Sequence, residues 1–381
     1  MSEGRFDDLQ YDRCFCRTAT VVDTDGNKQT AEIIVPCRQP ESSHAYMHEG
    51  YPIGKAHYGS VWRSRVLKRI ERHDGEPIWQ MTAKICAIKE SSIQQLRNNP
   101  NSENPAQELC ALQHLKRLHE ADLVNQARRQ GIAQLSPEEL RARYEETILD
   151  TNVIMPLDTL IDGRTIFCVM PFCEGRDLFC HMEEGGFSED EVRYLVIQIL
   201  NGLETLQRAG ICHRDISPEN IMIDDRGRPI IIDFGYSLKI PYIGNQRSLL
   251  TRRLLKPCGS RGKIYYMSPE IMKCRPFDGH AVDLWALGPI IHTLCTGETL
   301  WEIPLRIWNH RFDLASQGEF ARVAQDFESK NEAYHLSEDL VDLLQGMFNY
   351  DARTRLSLAQ IRGHAWMQRP AVAPAVNRSD E

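Results

Sequence analysis

Hydrophobic periodicity changes once along this chain, and that switch constrains the fold more than any other feature. From Tyr46 to about Pro171, short runs rich in β-branched residues ("GSVWRSRVL", "TAKICAIKE", "TIFCVMPF") surround one helical stretch, "NPAQELCALQHLKRLHEA". Beyond Gly175 the period becomes helical: in "SEDEVRYLVIQILNGLETLQRAG", Val192, Leu195, Val196, Ile199, Leu203 and Leu206 recur at helical spacing. Ser188 and Glu191 stand at capping-box spacing before this run, and Gly210 is its natural stop. Strands gathered in one part and helices in the other imply an α+β chain.

Before the switch, "CFCRTATVV" and "KQTAEIIVP" flank the turn-forming "DTDGN" and read as a hairpin that extends the sheet. Between Ala121 and Asp150 the strand pattern is interrupted by "SPEELRARYEE", a helix with its own capping box (Ser136, Glu139) and Pro137 at the first helical position. Its charged face is expected to be solvated, with partner docking as the alternative. The expected division is an extension with the hairpin (1–45), a sheet part (46–173) carrying a helical insertion near 121–150, a helical part (174–368) and a flexible tail (369–381).

At 381 residues, 42% hydrophobic and 26% charged, the chain is long enough for two cores. A net charge of −8 argues against nucleic acid or an anionic membrane as the main partner, and no apolar run approaches the roughly 20 residues of a membrane span. Twelve irregularly spaced cysteines and an opening "MSEGRFDDLQ" without secretory character imply reduced thiols in a cytoplasmic setting, with nuclear access open. The C-x-C of Cys14 and Cys16 reads as two strand cysteines rather than half of a metal site.

Transferring a phosphoryl group needs a backbone cover for phosphates, a cation, metal-binding oxygens and a base. The sequence offers these in order: "IGKAHYGSV", then Lys89 in "CAIK", then Glu108 on a helical face with Leu112 and Leu115, then "ICHRDISPENIMID", then "DFG" after "RPIII". Each motif alone is weak, whereas HRD, an asparagine five residues after its aspartate, and DFG after a strand-like run form a specific combination. From about Tyr51 to Trp366 the chain resembles the eukaryotic protein kinases of serine/threonine type.

That resemblance implies a bilobal α+β kinase fold using ATP and Mg2+. It assigns Ile53, Gly54 and Gly59 to the nucleotide cover, with Ala56 standing where the family has a glycine. Lys89 would contact phosphates and pair with Glu108. Met170, Pro171 and Cys173 would form the hinge, Asp177 would meet ribose hydroxyls, and Val61, Ala87 and Met222 would enclose adenine. Asp215 would orient the acceptor hydroxyl, while Asn220 and Asp233 would hold metal. Further on, "MSPE" stands where the family has APE, Asp283 resembles the helix aspartate that braces the catalytic loop, and Arg355 the arginine that pairs with Glu270.

The departure is Ser217, which stands where serine/threonine kinases carry a lysine, and counting back seven residues from Glu270, where the family has a threonine, gives Lys263. The pair reads as a reciprocal exchange: Lys263 supplies the ammonium and Ser217 the hydroxyl. Arg214 before the catalytic aspartate implies activation by a phosphate on Ser248, Thr251 or Ser260, placed by an upstream kinase or by autophosphorylation. Arg247, Arg252, Arg253, Lys256 and Arg261 surround those acceptors. The expected function is transfer to serine or threonine hydroxyls of protein substrates, with dual specificity left open. The rival is a pseudokinase scaffold that binds partners through the 121–150 insertion and the hairpin.

Overall fold

The computed structural model describes residues 10–37, 42–56, 58–72, 77–98, 105–183, 187–243, 251–252, 254–257, 262–301, 309–330 and 335–374. Two compact units result, one from Asp7–Ile148 with Ile154–Phe172, the other built mainly from Leu149–Val153 and Cys173–Glu381.

The first unit contains β1 (Asp12–Val22), β2 (Lys28–Pro36), β3 (His44–Ala56), β4 (Gly59–Ile70), β5 (Ile78–Ser92), α1 (Ile93–Asn98), α2 (Pro105–Arg129), α3 (Pro137–Thr147), β6 (Asp158–Ile161) and β7 (Thr165–Pro171). β1 and β2 pair antiparallel from Cys14↔Pro36 to Val22↔Lys28, and Asp23 closes their turn by accepting the N–H groups of Asp25 and Asn27. The hairpin does more than lengthen a sheet. Its first strand meets β6 in parallel at Asp12↔Leu160, closing a barrel in the order β1-β2-β3-β4-β5-β7-β6.

Alternation of side chains along a strand lets β2 serve two cores. Ile34 joins Cys14, Tyr46, Cys86, Ile88, Leu160, Phe167 and Val169, while Ile33 and Val35 pack with Val21, Leu67 and Trp79. Cys14 and Cys16 both sit in β1, and among the described residues no group of three or more metal-ligating side chains gathers anywhere.

α2 runs beyond the stretch read from the sequence, to Arg129, because Leu123 and Ala127 continue its buried side past Leu112 and Leu115. α3 begins with the expected capping box; Glu138, Glu139 and Glu146 are exposed, while Arg141 and Glu145 are paired within the unit. Arg141 is bonded to Asp158 and Glu145, Lys84 to Glu145, and the buried Tyr144 donates its O–H to the Pro156 carbonyl at 3.0 Å.

The second unit contains α4 (Leu178–Glu183), α5 (Glu189–Ala209), β8 (Ile211–Cys212), β9 (Ile221–Ile223), β10 (Pro229–Ile231), α6 (Pro269–Met272), α7 (Gly279–Thr296), α8 (His310–Ser316), α9 (Phe320–Glu328), α10 (Glu338–Met347) and α11 (Leu358–Gly363). α5 is bounded as its sequence dictates, by the Ser188–Glu191 capping box and by Gly210 at φ 67°. α7 is apolar on nearly every side and lies in the core, where Trp285 packs with Trp301, Phe312 and Phe348. Within the expected tail, Arg193 of α5 donates to the Pro370 carbonyl, and the Val372 N–H to the Asp190 carbonyl.

Candidate catalytic site

The acid, amide and hydroxyl of "HRDISPEN" are set by a loop that leaves β8, turns through a short 3-10 segment (Pro218–Asn220) and returns as β9. α7 holds its start. The Asp283 carboxylate accepts the backbone N–H groups of His213 and Arg214, each at 2.8 Å, and burial pushes Asp283 up to about 6. These bonds hold Arg214 at φ 69°, a strained conformation for a side chain of its size. The buried His213 ring stands by the Ile232 carbonyl, 2.9 Å from Nε2, and meets Phe234 edge-on. Burial keeps that imidazole below its ordinary pKa.

Asp215 is then oriented from two directions. Asn220 Nδ2 donates to one carboxylate oxygen at 2.9 Å and to the Asp215 carbonyl at 2.8 Å, and the backbone N–H of Lys263 donates to the other carboxylate oxygen at 3.0 Å. Burial raises the Asp215 pKa to about 6, against the lowering effects of Lys263 and Asn220, with Asp233 adding repulsion. Gly262 permits the close approach: it lies at φ 97°, and a Cβ there would stand 2.6 Å from the Arg214 carbonyl.

The side chain of Lys263 returns to the same loop. Its Nζ donates to Ser217 Oγ at 2.7 Å and lies 3.5 Å from Glu219. Ser217 is fully buried, so this ammonium satisfies a hydroxyl that water does not reach. Glu219 was not singled out from the sequence, although its place beside Asn220 in one tight turn is the signal that marks it.

Asp233 follows β10 at φ 63°, and Gly235 N–H donates to its carboxylate at 3.1 Å. The Ile232 N–H donates to the Asn220 carbonyl at 2.9 Å, tying the two segments together. An amide oxygen and a carboxylate are hard donors, and a pair of them suits Mg2+, which takes its remaining ligands from phosphates and water. Arg355 grips Glu270 through two bonds of 2.8 and 3.1 Å and lies over the Trp285 ring. Asp177 accepts the Cys180 N–H at 2.8 Å and bridges to Met222, and Cys173 is buried.

In the strand unit, Lys89 near the end of β5 meets Glu108 in the first turn of α2 through bonds of 2.8 and 2.7 Å. Val61 lies opposite Lys89 and Arg63 opposite Ala87, so Val61, Ala87 and Lys89 share one face. Met170 and Pro171 close β7, paired with Ala87 and Cys86. Ile53 is exposed, and Gly54 and Ala56 lie in β3, Gly54 just after a register shift and Ala56 paired to Gly59. None of the three loop positions 54, 56 and 59 has a positive φ, so Ala56 costs no backbone strain. Gly59 is required for a different reason: a Cβ would stand 2.2 Å from the Glu90 carbonyl.

Of the expected phosphate acceptors, Ser248 and Ser260 lie outside the described residues, as do Arg247, Arg253 and Arg261. Thr251 pairs with Ile243 in a two-residue ladder, and Lys256 is exposed.

The protein kinase domain family matches residues 124–367, more than half of the chain, beginning after Lys89 and Glu108. Testis-specific serine/threonine-protein kinase 5 of Mus musculus is 32% identical over 184 residues, 48% of this chain and 43% of that relative. Serine/threonine-protein kinase SRK2A of Arabidopsis thaliana is 30% identical over 188 residues, covering 48% and 46%. Sperm motility kinase Z of Mus musculus is 26% identical over 224 residues, covering 57% and 39%. The chain thus spans less than half the length of these curated relatives. With HRD, DFG and their braces inside the matched region, the chain belongs to the protein kinase domain family.

Proposed function

We propose that this chain is a protein serine/threonine kinase that transfers the γ-phosphoryl group of MgATP to hydroxyls of protein substrates. The observation that carries the reading is the Asp215 carboxylate, held by the Asn220 amide and the Lys263 N–H, with a side-chain ammonium returned to the same loop. A surface acid needs no such fixing.

Each Asp215 oxygen receives one N–H, which leaves lone pairs to accept the O–H of an acceptor residue and turn its oxygen toward phosphorus. Above its pKa of about 6 Asp215 is ionised and able to do so. Lys89, fixed by Glu108, would contact the α- and β-phosphates, and Asn220 and Asp233 would supply oxygen ligands to Mg2+. Bound Mg2+ would neutralise phosphate charge. Lys263 takes over the ammonium role of the missing loop lysine, and the Ser217 hydroxyl anchors it.

Arg214 supports regulation by phosphate. Its Nε and Nη2 are buried with no hydrogen-bond partner among the described residues, and Nη1 donates weakly to the Tyr236 carbonyl at 3.3 Å. A phosphoryl group placed by an upstream kinase or by the chain itself would give those unpartnered N–H groups an acceptor once they are uncovered. Among the described residues no helix is long and apolar enough to cross a membrane. Eleven cysteines among them are free thiols, in keeping with a reducing compartment.

The test is incubation of the chain with MgATP and casein, followed by mass-spectrometric localisation of phosphate. Phosphoserine and phosphothreonine, absent without Mg2+, are the expected products. Phosphotyrosine as the main product would refute the assigned specificity, and no transfer after activation-segment phosphorylation would refute the enzyme.

A further inference from the structure

The barrel of the strand unit is incompletely zipped. β2 is paired to β1 from Pro36 to Lys28, and β3 to β4 from His44 to Ala56 with register shifts around Pro52, yet among the described residues Ile34↔Tyr46 is the only ladder pair between β2 and β3, and beyond it Ile33 and Met47 pack through side chains alone. Past that point the facing edges, residues 28–33 and 47–53, have no strand partner among the described residues. A cavity of about 830 Å3 lies there, lined from β2 by Gln29 and Glu32 and from β3 by Met47 and His48. The β2 edge is regular there, whereas the β3 edge is bulged around Gly50 (φ 64°) and Pro52, so the backbone N–H and C=O groups offered to an entering chain come chiefly from β2.

The cavity has a built floor and a clear sign of charge. Trp62 Nε1 donates to Glu90 at 3.0 Å, His48 Nε2 lies 3.1 Å from the same carboxylate, and the His48 ring stacks on Trp62 at 4.7 Å. Four carboxylates (Glu32, Glu49, Glu90, Asp162) line the cavity against one guanidinium, Arg63. Glu49 is bonded to Arg63 and Arg65, so the surplus is carried by Glu32 and Asp162, both exposed, and by Glu90.

We propose that the gap between β2 and β3 takes an extended, basic segment of a partner protein as an added strand. Its backbone continues the barrel across the gap, and its Lys or Arg side chains meet Glu32, Asp162 and Glu90. Charge selects this occupant. A second copy of the chain would bring the same carboxylates edge to edge, and nucleic acid would bring phosphates.

The test selects displayed random dodecapeptides on the full chain, then measures the enriched peptides by isothermal titration and by amide hydrogen exchange. The peptides should carry Lys or Arg among β-branched residues and slow exchange in residues 28–33 and 47–53. Glu32→Arg should weaken them about tenfold or more, while Asp25→Arg, the same charge change at the exposed turn of the hairpin, should leave affinity within about twofold. Failure to enrich basic peptides, equal loss in both variants, or protection elsewhere would overturn the proposal.

Discussion

Replacing Lys263 by Met removes the ammonium and keeps the backbone N–H that Asp215 accepts at 3.0 Å, so it isolates the exchanged side chain. In the resting enzyme the loss is modest, because Lys263 is 34% exposed and Glu219 36%: its bond to Ser217 and its ion pair together contribute about 1 kcal/mol. During transfer, a missing fixed donor costs about 2.7–4 kcal/mol, and solvent at Lys263 sets the lower end, so kcat should fall about 100-fold. A second readout separates charge from shape. Lys263 lowers the Asp215 pKa, which stands at about 6. The proposed role of Asp215 requires the carboxylate, so activity should fall as pH drops through that value, and without the ammonium this acid limb should move to higher pH. Steady-state kinetics between pH 5 and 8 report both effects. The exchange predicts rescue as well: Ser217→Lys added to Lys263→Thr should restore at least about tenfold over Lys263→Thr alone. If Lys263→Met stays within about threefold of wild type, a deficit near 0.7 kcal/mol, with an unmoved acid limb, the exchange is refuted.

Glu108→Ala leaves Lys89 without its partner; it should cost about 2–4 kcal/mol in urea denaturation and abolish transfer, whereas an unchanged midpoint would contradict the pair's role. Gly59→Ala drives a Cβ into the Glu90 carbonyl and should cost about 1–3 kcal/mol, while Ala56→Gly should lose only about 0.5–1 kcal/mol and leave ATP affinity within about twofold by titration. Arg355→Ala strands the Glu270 carboxylate and uncovers Trp285, so stability should fall by about 3–5 kcal/mol, read as a lower Tm.

Legibility in the sequence followed the range of the contacts. Asp215, Ser217 and Asn220 lie in one turn, so their spacing alone brings them together. Lys263 was reachable by counting from Glu270, although its 2.7 Å approach to Ser217 depends on Gly262 adopting a left-handed backbone. The capping boxes of α3 and α5 are local and could be read directly. Barrel closure could not be read, because the parallel contact Asp12↔Leu160 joins residues almost 150 positions apart and β6 is only four residues long. The engagement of α3 was hidden for the same reason. Its anchor, Asp158, is a buried carboxylate held by Arg141, Tyr46 and His44, and burial of a charge leaves no mark in composition. In the glycine-rich segment the departure at Ala56 could be read directly, whereas the position that admits no Cβ, Gly59, depends on the Glu90 carbonyl of another strand and could not.

The most direct test of the catalytic assignment is single-turnover transfer of the γ-phosphoryl group from saturating MgATP, comparing wild type with Asp215→Asn while ATP affinity is measured on the same preparations. Asn at 215 keeps the volume and one acceptor oxygen but loses the charge that orients the incoming hydroxyl. The rate should fall by about 100-fold or more with ATP affinity unchanged. Equal rates in the two proteins, or no transfer by a phosphorylated wild type that binds ATP, would contradict the assignment of this chain as a working kinase.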